Sequence, residues 1–159
     1  MRIHIAAIGR MKQGPERELV SRYLERAVLS GKPLGLTGFD VGELPESRAS
    51  SAASRKTDEA KALRAALPEG IVVALDERGK TLGSEDFANR LARWRDDGKP
   101  ALSFVIGGAD GFAPAFVSGA DLTLSFSPLT WPHQLVRIML AEQLYRATTI
   151  LSGHPYHRE

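Results

Sequence analysis

The chain has 159 residues, 43% of them apolar and 25% charged, enough for one domain with a full core. Lys and Arg total 21 against 19 for Asp and Glu, a net charge of +2 that permits an anionic partner without requiring one. The absence of cysteine excludes disulfides, thiolate metal sites and thiol nucleophiles.

In chain order, Arg2 to Gly9 reads as a strand, with Ile3, Ile5 and Ile8 supplying β-branched bulk. His4 interrupts this first apolar run, which is too short for a signal peptide or a membrane span, so a cytoplasmic protein with no membrane association is expected. A loop over Gly9 to Pro15 precedes a helix running to about Ser30, in which Leu19, Val20, Tyr23, Leu24, Ala27 and Val28 recur at helical spacing. Gly31 and Pro33 end it, and Leu34 to Val41 is a second strand weakened by Gly35 and Gly38. Glu43 to Thr57 reads as a long polar loop, rich in serine around Arg48, Arg55 and Lys56. Such a loop is either solvated or, through its basic side chains, a contact for phosphates. A short helix from Asp58 to Leu67 stops at Pro68-Glu69-Gly70.

Ile71 to Leu75 is an uninterrupted apolar run, the pattern of a strand covered on both faces, and Asp76 to Lys80 is its exit loop. Ser84 opens an amphipathic helix with Glu85 and Asp86 in its first turn and a buried stripe of Phe87, Leu91 and Trp94. Ala101 to Ile106 is another buried strand, followed by Gly107-Gly108-Ala109-Asp110-Gly111, a short helix from Phe112 to Ser118, and a last strand from Asp121 to Phe126. Strands alternating with helices predict an α/β fold in a single domain, residues 1–159, with a mainly parallel sheet flanked by helices.

Two stretches at the C-terminal end carry candidate chemistry. The glycine turn after Ile106 is neither a G-x-G-x-x-G fingerprint nor a Walker loop, so a flavodoxin-like or dinucleotide reading lacks its phosphate cradle. Two adjacent glycines at a strand's C-terminal end still let a ligand approach bare backbone, and a plain tight turn is the competing reading. Ser127 to Arg137 begins as a loop stiffened by Pro128 and Pro132 and becomes the longest helix, with Pro132 in its first turn and Thr130 or Trp131 expected to cap it. The rigid loop can read a flat polar ligand through main-chain groups, or it is simply a strand-to-helix connection. The helix, to about Leu151, is apolar nearly all round, which implies burial on two sides and a dimer interface. Glu142 and Arg146 stand at ion-pair spacing on it. The tail His154-Pro155-Tyr156-His157-Arg158-Glu159 gathers an aromatic, two imidazoles and a guanidinium suited to stacking on a base and holding a phosphate; its histidines are a weak metal signal, and no metal is expected.

Ile106 to Gly111, Leu129 to Arg137, Glu142-Gln143-Leu144-Tyr145-Arg146-Ala147 and the tail together resemble, in order and spacing, the RlmH-type SPOUT methyltransferases, which methylate N3 of a pseudouridine in large-subunit ribosomal RNA. The resemblance covers essentially the whole chain; Trp131 departs from the smaller apolar residue usual at its place. It implies a C-terminal deep trefoil knot, a homodimer, and S-adenosylmethionine contacted by Leu75, Gly108, Ser127, Pro128, Leu129, Thr130, Trp131 and Pro132. The tail, acting within its own subunit or across the dimer, is expected to close over a cofactor, with the partner's cofactor the favoured arrangement. Tyr156 or His157 would pack on the nucleotide, Arg158 would stabilise the N3 anion or a phosphate, and Glu142 with Arg146 would hold the helix that presents them. A non-catalytic RNA- or ribosome-binding module is the competing class, separated from the enzyme by whether S-adenosylmethionine binds at all.

Overall fold

A computed structural model describes residues 1–158; Glu159, the last residue of the tail motif, lies outside the described residues. The elements are β1 (Arg2–Ile8), α1 (Pro15–Gly31), β2 (Thr37–Leu44), α2 (Ala52–Ala66), β3 (Ile71–Lys80), α3 (Ser84–Asp96), β4 (Ala101–Ile106), α4 (Pro114–Ser118), β5 (Leu122–Leu124) and α5 (His133–Ser152), with one 3-10 turn at Lys32–Leu34. The strands form one five-stranded sheet in the order β2-β1-β4-β3-β5, every pairing parallel. The α/β single-domain expectation holds, and the sheet is wholly parallel.

Parallel strands joined by helices must have both faces covered, which is why the first half of β3 reads as a continuous apolar run and β4 as one broken only by Ser103. Ile3, Ile5, Leu102, Phe104, Val73 and Leu91 are fully buried under α1, α3 and α5. Ala6, Ile8, Ala74 and Val105 point the other way, onto Leu63 of α2 and Phe112 and Phe116 of the α4 region. Each buried Leu, Ile or Phe contributes about 1.5–3 kcal/mol. No helix among the described residues is long and apolar enough to cross a membrane.

Several boundaries differ from the sequence reading, each for a tertiary reason. The second strand starts at Thr37, not Leu34, because Leu34 closes the 3-10 turn and Gly35 reverses the chain at φ 73°. The expected loop from Glu43 to Thr57 is largely ordered: β2 runs to Leu44, and α2 begins at Ala52 behind the Ser51 cap, whose side chain accepts from the Ser54 N–H. Its remaining turn is held by Ser47, which donates its N–H to Glu59 Oε1 (3.0 Å) and its hydroxyl to Asp58 (2.8 Å). The exit loop expected at Asp76 to Lys80 continues β3, while β5 and α4 are shorter than expected. Neither Thr130 nor Trp131 caps α5: Pro132 takes the cap position with no side-chain hydrogen bond, and its carbonyl accepts from the Val136 N–H (3.1 Å).

The two ends of β3 meet β5 at one place. Leu75 and Lys80 both register with Leu124, so residues 76–79 bow out between them. The Ser125 N–H donates to the Lys80 carbonyl (2.9 Å) and its hydroxyl to the Glu77 carbonyl (3.1 Å), which ties the bow to the chain leaving β5. Gly79 presses so close that a Cβ there would sit 2.7 Å from the Thr123 carbonyl carbon, so only glycine fits.

Candidate active site

All five strands end at one edge of the sheet, the position where open α/β folds bind ligands. A cleft of about 400 Å³ opens there, within the range of small-molecule sites, roughly 300–1,000 Å³. Leu75, Ile106, Leu124, Phe126 and Val136 supply apolar walls, Gly107 and Gly108 one side, and Ser127, Leu129, Thr130 and Trp131 the overhanging loop. Of the eight residues expected to contact a cofactor, Leu75, Gly108, Ser127, Leu129, Thr130 and Trp131 line the cleft, and Pro128 and Pro132 do not. The prolines stiffen the loop from outside, and both are exposed.

Side-chain bonds tether the loop at two points. The Thr130 hydroxyl donates to Glu77 on the bow of β3 (2.9 Å), closing one side of the cleft, and the Leu129 N–H donates to the Ser127 hydroxyl (3.0 Å). Trp131 and Leu129 remain 36% and 65% exposed at the rim. Large apolar side chains left at a cleft mouth are available to a planar ligand.

The glycine turn is propped from behind by α2. Arg55 grips Asp110 through Nε (2.6 Å) and Nη2 (3.1 Å). This bidentate bond, ahead of the cost of burial, holds the Asp110 carboxyl below its usual range. Glu59, four residues along the same helix, is buried, with Oε2 unpartnered; a Cβ on Gly108 would meet that oxygen at 2.5 Å. Gly108 is therefore required by packing as well as by access to the cleft. Glu59 and Glu77 were not among the candidate residues, and Arg55 was read only as a basic side chain of a polar loop, not as a partner of the glycine turn. No local pattern announces them, since Arg55 and Asp110 are 55 residues apart and Glu77 and Thr130 are 53 apart.

The tail folds back on its own helix. Glu142 Oε1 accepts from Arg146 Nε (3.0 Å) and from the Tyr156 hydroxyl (3.0 Å), and Glu142 Oε2 accepts from Gln143 (2.8 Å). Arg146 also lies over the Tyr156 ring at 4.9 Å and donates to His157 Nδ1 (3.2 Å). Burial, with the bond to Glu142, pushes the Tyr156 phenol well above its usual pKa, so it stays protonated and donates. Glu142, with its donors in place, is a fixed anchor, and Arg158 is exposed beside the cluster. The structure thus brings Tyr156, His157, Glu142 and Arg146 together.

Within one chain this cluster is apart from the cleft. Val136 lines the cleft and Arg146 lies ten residues further along α5, about 15 Å at ~1.5 Å per residue. Glu142 instead borders a second groove of about 400 Å³, shared by Leu19, Tyr23, Leu82, Phe126, Ile138 and Met139. Phe126 and Leu124 line both hollows and form the wall between them.

The cleft suits a ligand without phosphates. Arg78 on its rim is committed to Asp76 (2.9 Å) and Asp110 to Arg55, which leaves Lys56 as the one lining Lys or Arg outside an ion pair among the described residues. Apolar walls, backbone at the glycines and the Glu77 carboxylate, which holds no ion pair among the described residues, favour a cationic, partly apolar molecule over a nucleotide phosphate.

Comparison with known proteins agrees with this chemistry. A family profile described as "Predicted SPOUT methyltransferase" matches residues 1–157. The chain is 57% identical to "Ribosomal RNA large subunit methyltransferase H" of Brucella anthropi over 99% of each chain, and 58% identical to the protein of the same name from Allorhizobium ampelinum, again over 99% of each. In structure it is similar to a probable methylase family protein from Haemophilus influenzae, at 13% identity and a TM-score of 0.51, covering 99% of this chain and 70% of the other.

Proposed function

The chain belongs to the SPOUT methyltransferase family, and from that premise we propose that it transfers the methyl group of S-adenosylmethionine to N3 of a pseudouridine in 23S ribosomal RNA. Its place of work is the cytoplasm, on the assembled ribosome. The observation that carries this reading is the cleft itself: a rigid loop and a bare glycine turn at the sheet edge, apolar inside and without a phosphate nest.

S-adenosylmethionine supplies an electrophilic sulfonium methyl when bound. Leu75, Ile106 and Val136 would hold its apolar faces, the backbone at Gly108 and Ser127 to Trp131 its polar edges, and Glu77 would offset its cationic groups. The chain must also make an imide nitrogen nucleophilic, by accepting its proton or stabilising the anion that remains. Neither Tyr156, held protonated, nor Glu142, held by its donors, is free to take that proton. Arg158, exposed at the end of the cluster, is placed to stabilise the N3 anion or an adjacent phosphate, and Glu142 and Arg146 hold the tail that presents it.

The cluster meets the cleft only if two copies pair, and we assign the catalytic unit to a homodimer in which the tail of one subunit serves the cofactor of the other. The half-exposed apolar side chains of α1 and α5 support this pairing: Leu19, Tyr23, Leu135, Ile138 and Met139 form a face that the chain alone leaves uncovered. The finer topology we propose is a trefoil knot, with the bow of residues 76–79 as the loop through which the chain after β5 passes. Its support is the close wrap of Gly79 and Ser125.

Two experiments test the function. Isothermal titration with S-adenosylmethionine should give micromolar-scale binding; no heat would leave a non-catalytic RNA-binding module. Mass spectrometry of 23S rRNA from a deletion strain should show loss of one methyl group on a pseudouridine, restored by the wild-type gene. An unchanged methylation pattern would refute the assignment.

A further inference from the structure

Four cations at the cleft's edge of the sheet have no assigned task. Because all strands are parallel, the loops after β1 and β2 leave from the same edge as the glycine turn. β1 lies between β2 and β4, with Ile8 opposite Leu44 and Ala7 opposite Ile106. Neighbouring strands are about 4.8 Å apart, so the chain entering Arg10 starts roughly one strand spacing from Gly107. The Gly9 N–H donates to the Leu44 carbonyl (2.8 Å), which keeps the β1 and β2 exits side by side.

Arg55 then ties the β2 exit to the cleft. Besides gripping Asp110, its Nη1 donates to the Ala49 carbonyl (3.1 Å), so one guanidinium spans the glycine turn and the residue next to Arg48. Lys56, adjacent in sequence, lines the cleft. Arg10, Lys12, Arg48 and Lys56 therefore run as a bank from the first loop to the cleft mouth.

Charge pairing separates these four from their neighbours. Arg17, Arg55, Arg78 and Arg137 at this edge all hold carboxylates, on Glu43, Asp110 or Asp76. Arg10, Lys12, Arg48 and Lys56 form no ion pair or side-chain hydrogen bond among the described residues, and the first three are exposed. Glu43, Asp76 and Asp110 are neutralised in turn, while Glu16, Glu18, Glu46, Asp58 and Glu77 are exposed and hold no ion pair among the described residues, so the bank is the line of unpaired cations itself and not a region free of acids. The N-terminus of the 15-residue α2 opens onto the same bank with no acidic residue in its first turn, adding uncompensated positive dipole. Across the cleft stand the exposed Trp131 and Leu129.

We infer that Arg10, Lys12, Arg48 and Lys56 form a phosphate track along one bank of the cleft, on which the backbone of the substrate RNA lies while an unstacked base meets Trp131 on the other bank. This deepens the methyltransferase reading and rests on it. Cations without partners suit phosphates, because contact releases counterions and no internal ion pair has to break. An aromatic opposite them suits a base removed from its stack.

The test is the triple variant Arg10→Ala/Lys12→Ala/Arg48→Ala, assayed for methyl transfer to purified ribosomal particles over a salt series. The KM for particles should rise about tenfold or more, and the log–log salt slope should flatten by about 2–3, at ~0.7–0.9 per phosphate contact. The kcat and the S-adenosylmethionine Kd should stay within about twofold. The charge-retaining variant Arg10→Lys/Lys12→Arg/Arg48→Lys should recover wild-type behaviour, since phosphates accept either cation. Lys99→Ala, at the opposite edge of the sheet, should change nothing. An unaltered KM and slope would overturn the track. So would a raised KM with an unaltered slope, which would put a ribosomal protein on this bank instead. Failure of the wild-type protein to methylate any particle would count against the underlying function instead.

Discussion

Replacing Arg137 should reveal how strongly the double-proline loop of the cleft is anchored to the opposite half of the sheet. Arg137 lies in the first turns of α5, its side chain 6% exposed, ion-paired with Glu43 on β2 and donating from Nη2 to the Gly9 carbonyl (3.2 Å). Its Nε is buried without a partner. Breaking a buried pair by removing one member costs about 3–5 kcal/mol, because the other charge is left uncompensated. The two single variants should differ. In Arg137→Met the remaining Glu43 is 19% exposed and keeps the Met11 N–H (2.9 Å), so the cost should be about 3 kcal/mol, the low end. In Glu43→Leu the almost fully buried guanidinium is stranded, and the cost should approach about 5 kcal/mol. At about 2–4 °C per kcal/mol for a chain of this size, these are Tm losses of about 6–12 °C and 10–20 °C. The double variant Glu43→Leu/Arg137→Met should recover much of the deficit, since an apolar pair has no stranded charge. Urea unfolding at fixed protein concentration measures all four proteins. Single-variant losses below about 1 kcal/mol, or additive losses in the double variant, would refute the argument. A pH series gives a second check. Burial alone would raise the Glu43 carboxyl, but the Met11 N–H and Arg137, with Arg17 behind them, hold it below the usual glutamate value of 4.5. Its contribution is thus present above pH 4.5 and lost as pH falls below that value; Arg137→Met should flatten this acid limb.

Other perturbations separate binding from chemistry. Arg158→Ala should lower methyl transfer by about 10²-fold with S-adenosylmethionine affinity intact; equal activity on ribosomes would remove the tail from the mechanism. Gly108→Ala would set a methyl 2.5 Å from the buried Glu59 carboxylate, an overpacking of about 1–3 kcal/mol, and should weaken cofactor binding about tenfold by titration. Unchanged affinity would show that the turn can yield. Tyr156→Phe removes a donor to Glu142, worth about 0.5–1.5 kcal/mol, yet should leave the shape of the pH–rate profile unchanged, because the phenol stays protonated. Loss in that variant of a limb that rises toward alkaline pH would make Tyr156 the base.

The elements that local pattern specifies were legible in the amino-acid order. β1, β4 and the apolar half of β3 are runs of branched side chains because a strand buried on both faces admits little else, and the Phe87 and Leu91 stripe on α3 follows from helical period alone. The glycine turn, the double-proline loop and the Glu142–Arg146 pair were visible as unusual residue types at close spacing. Folding decided what depends on partners far along the chain. Residues 43–57 are polar enough to read as loop, yet Arg55 finds Asp110 and Ser47 finds Glu59, and those pairings order the segment. Residues 76–80 carry a turn's composition but extend β3, because the bow closes on Lys80 and Ser125. The exposed prolines outside the cleft, the cap taken by Pro132 itself and the separation of tail from cleft along one α5 were equally hidden. Composition and periodicity report the solvent each residue expects; which distant group meets it is set only when the sheet order brings the loops to a common edge.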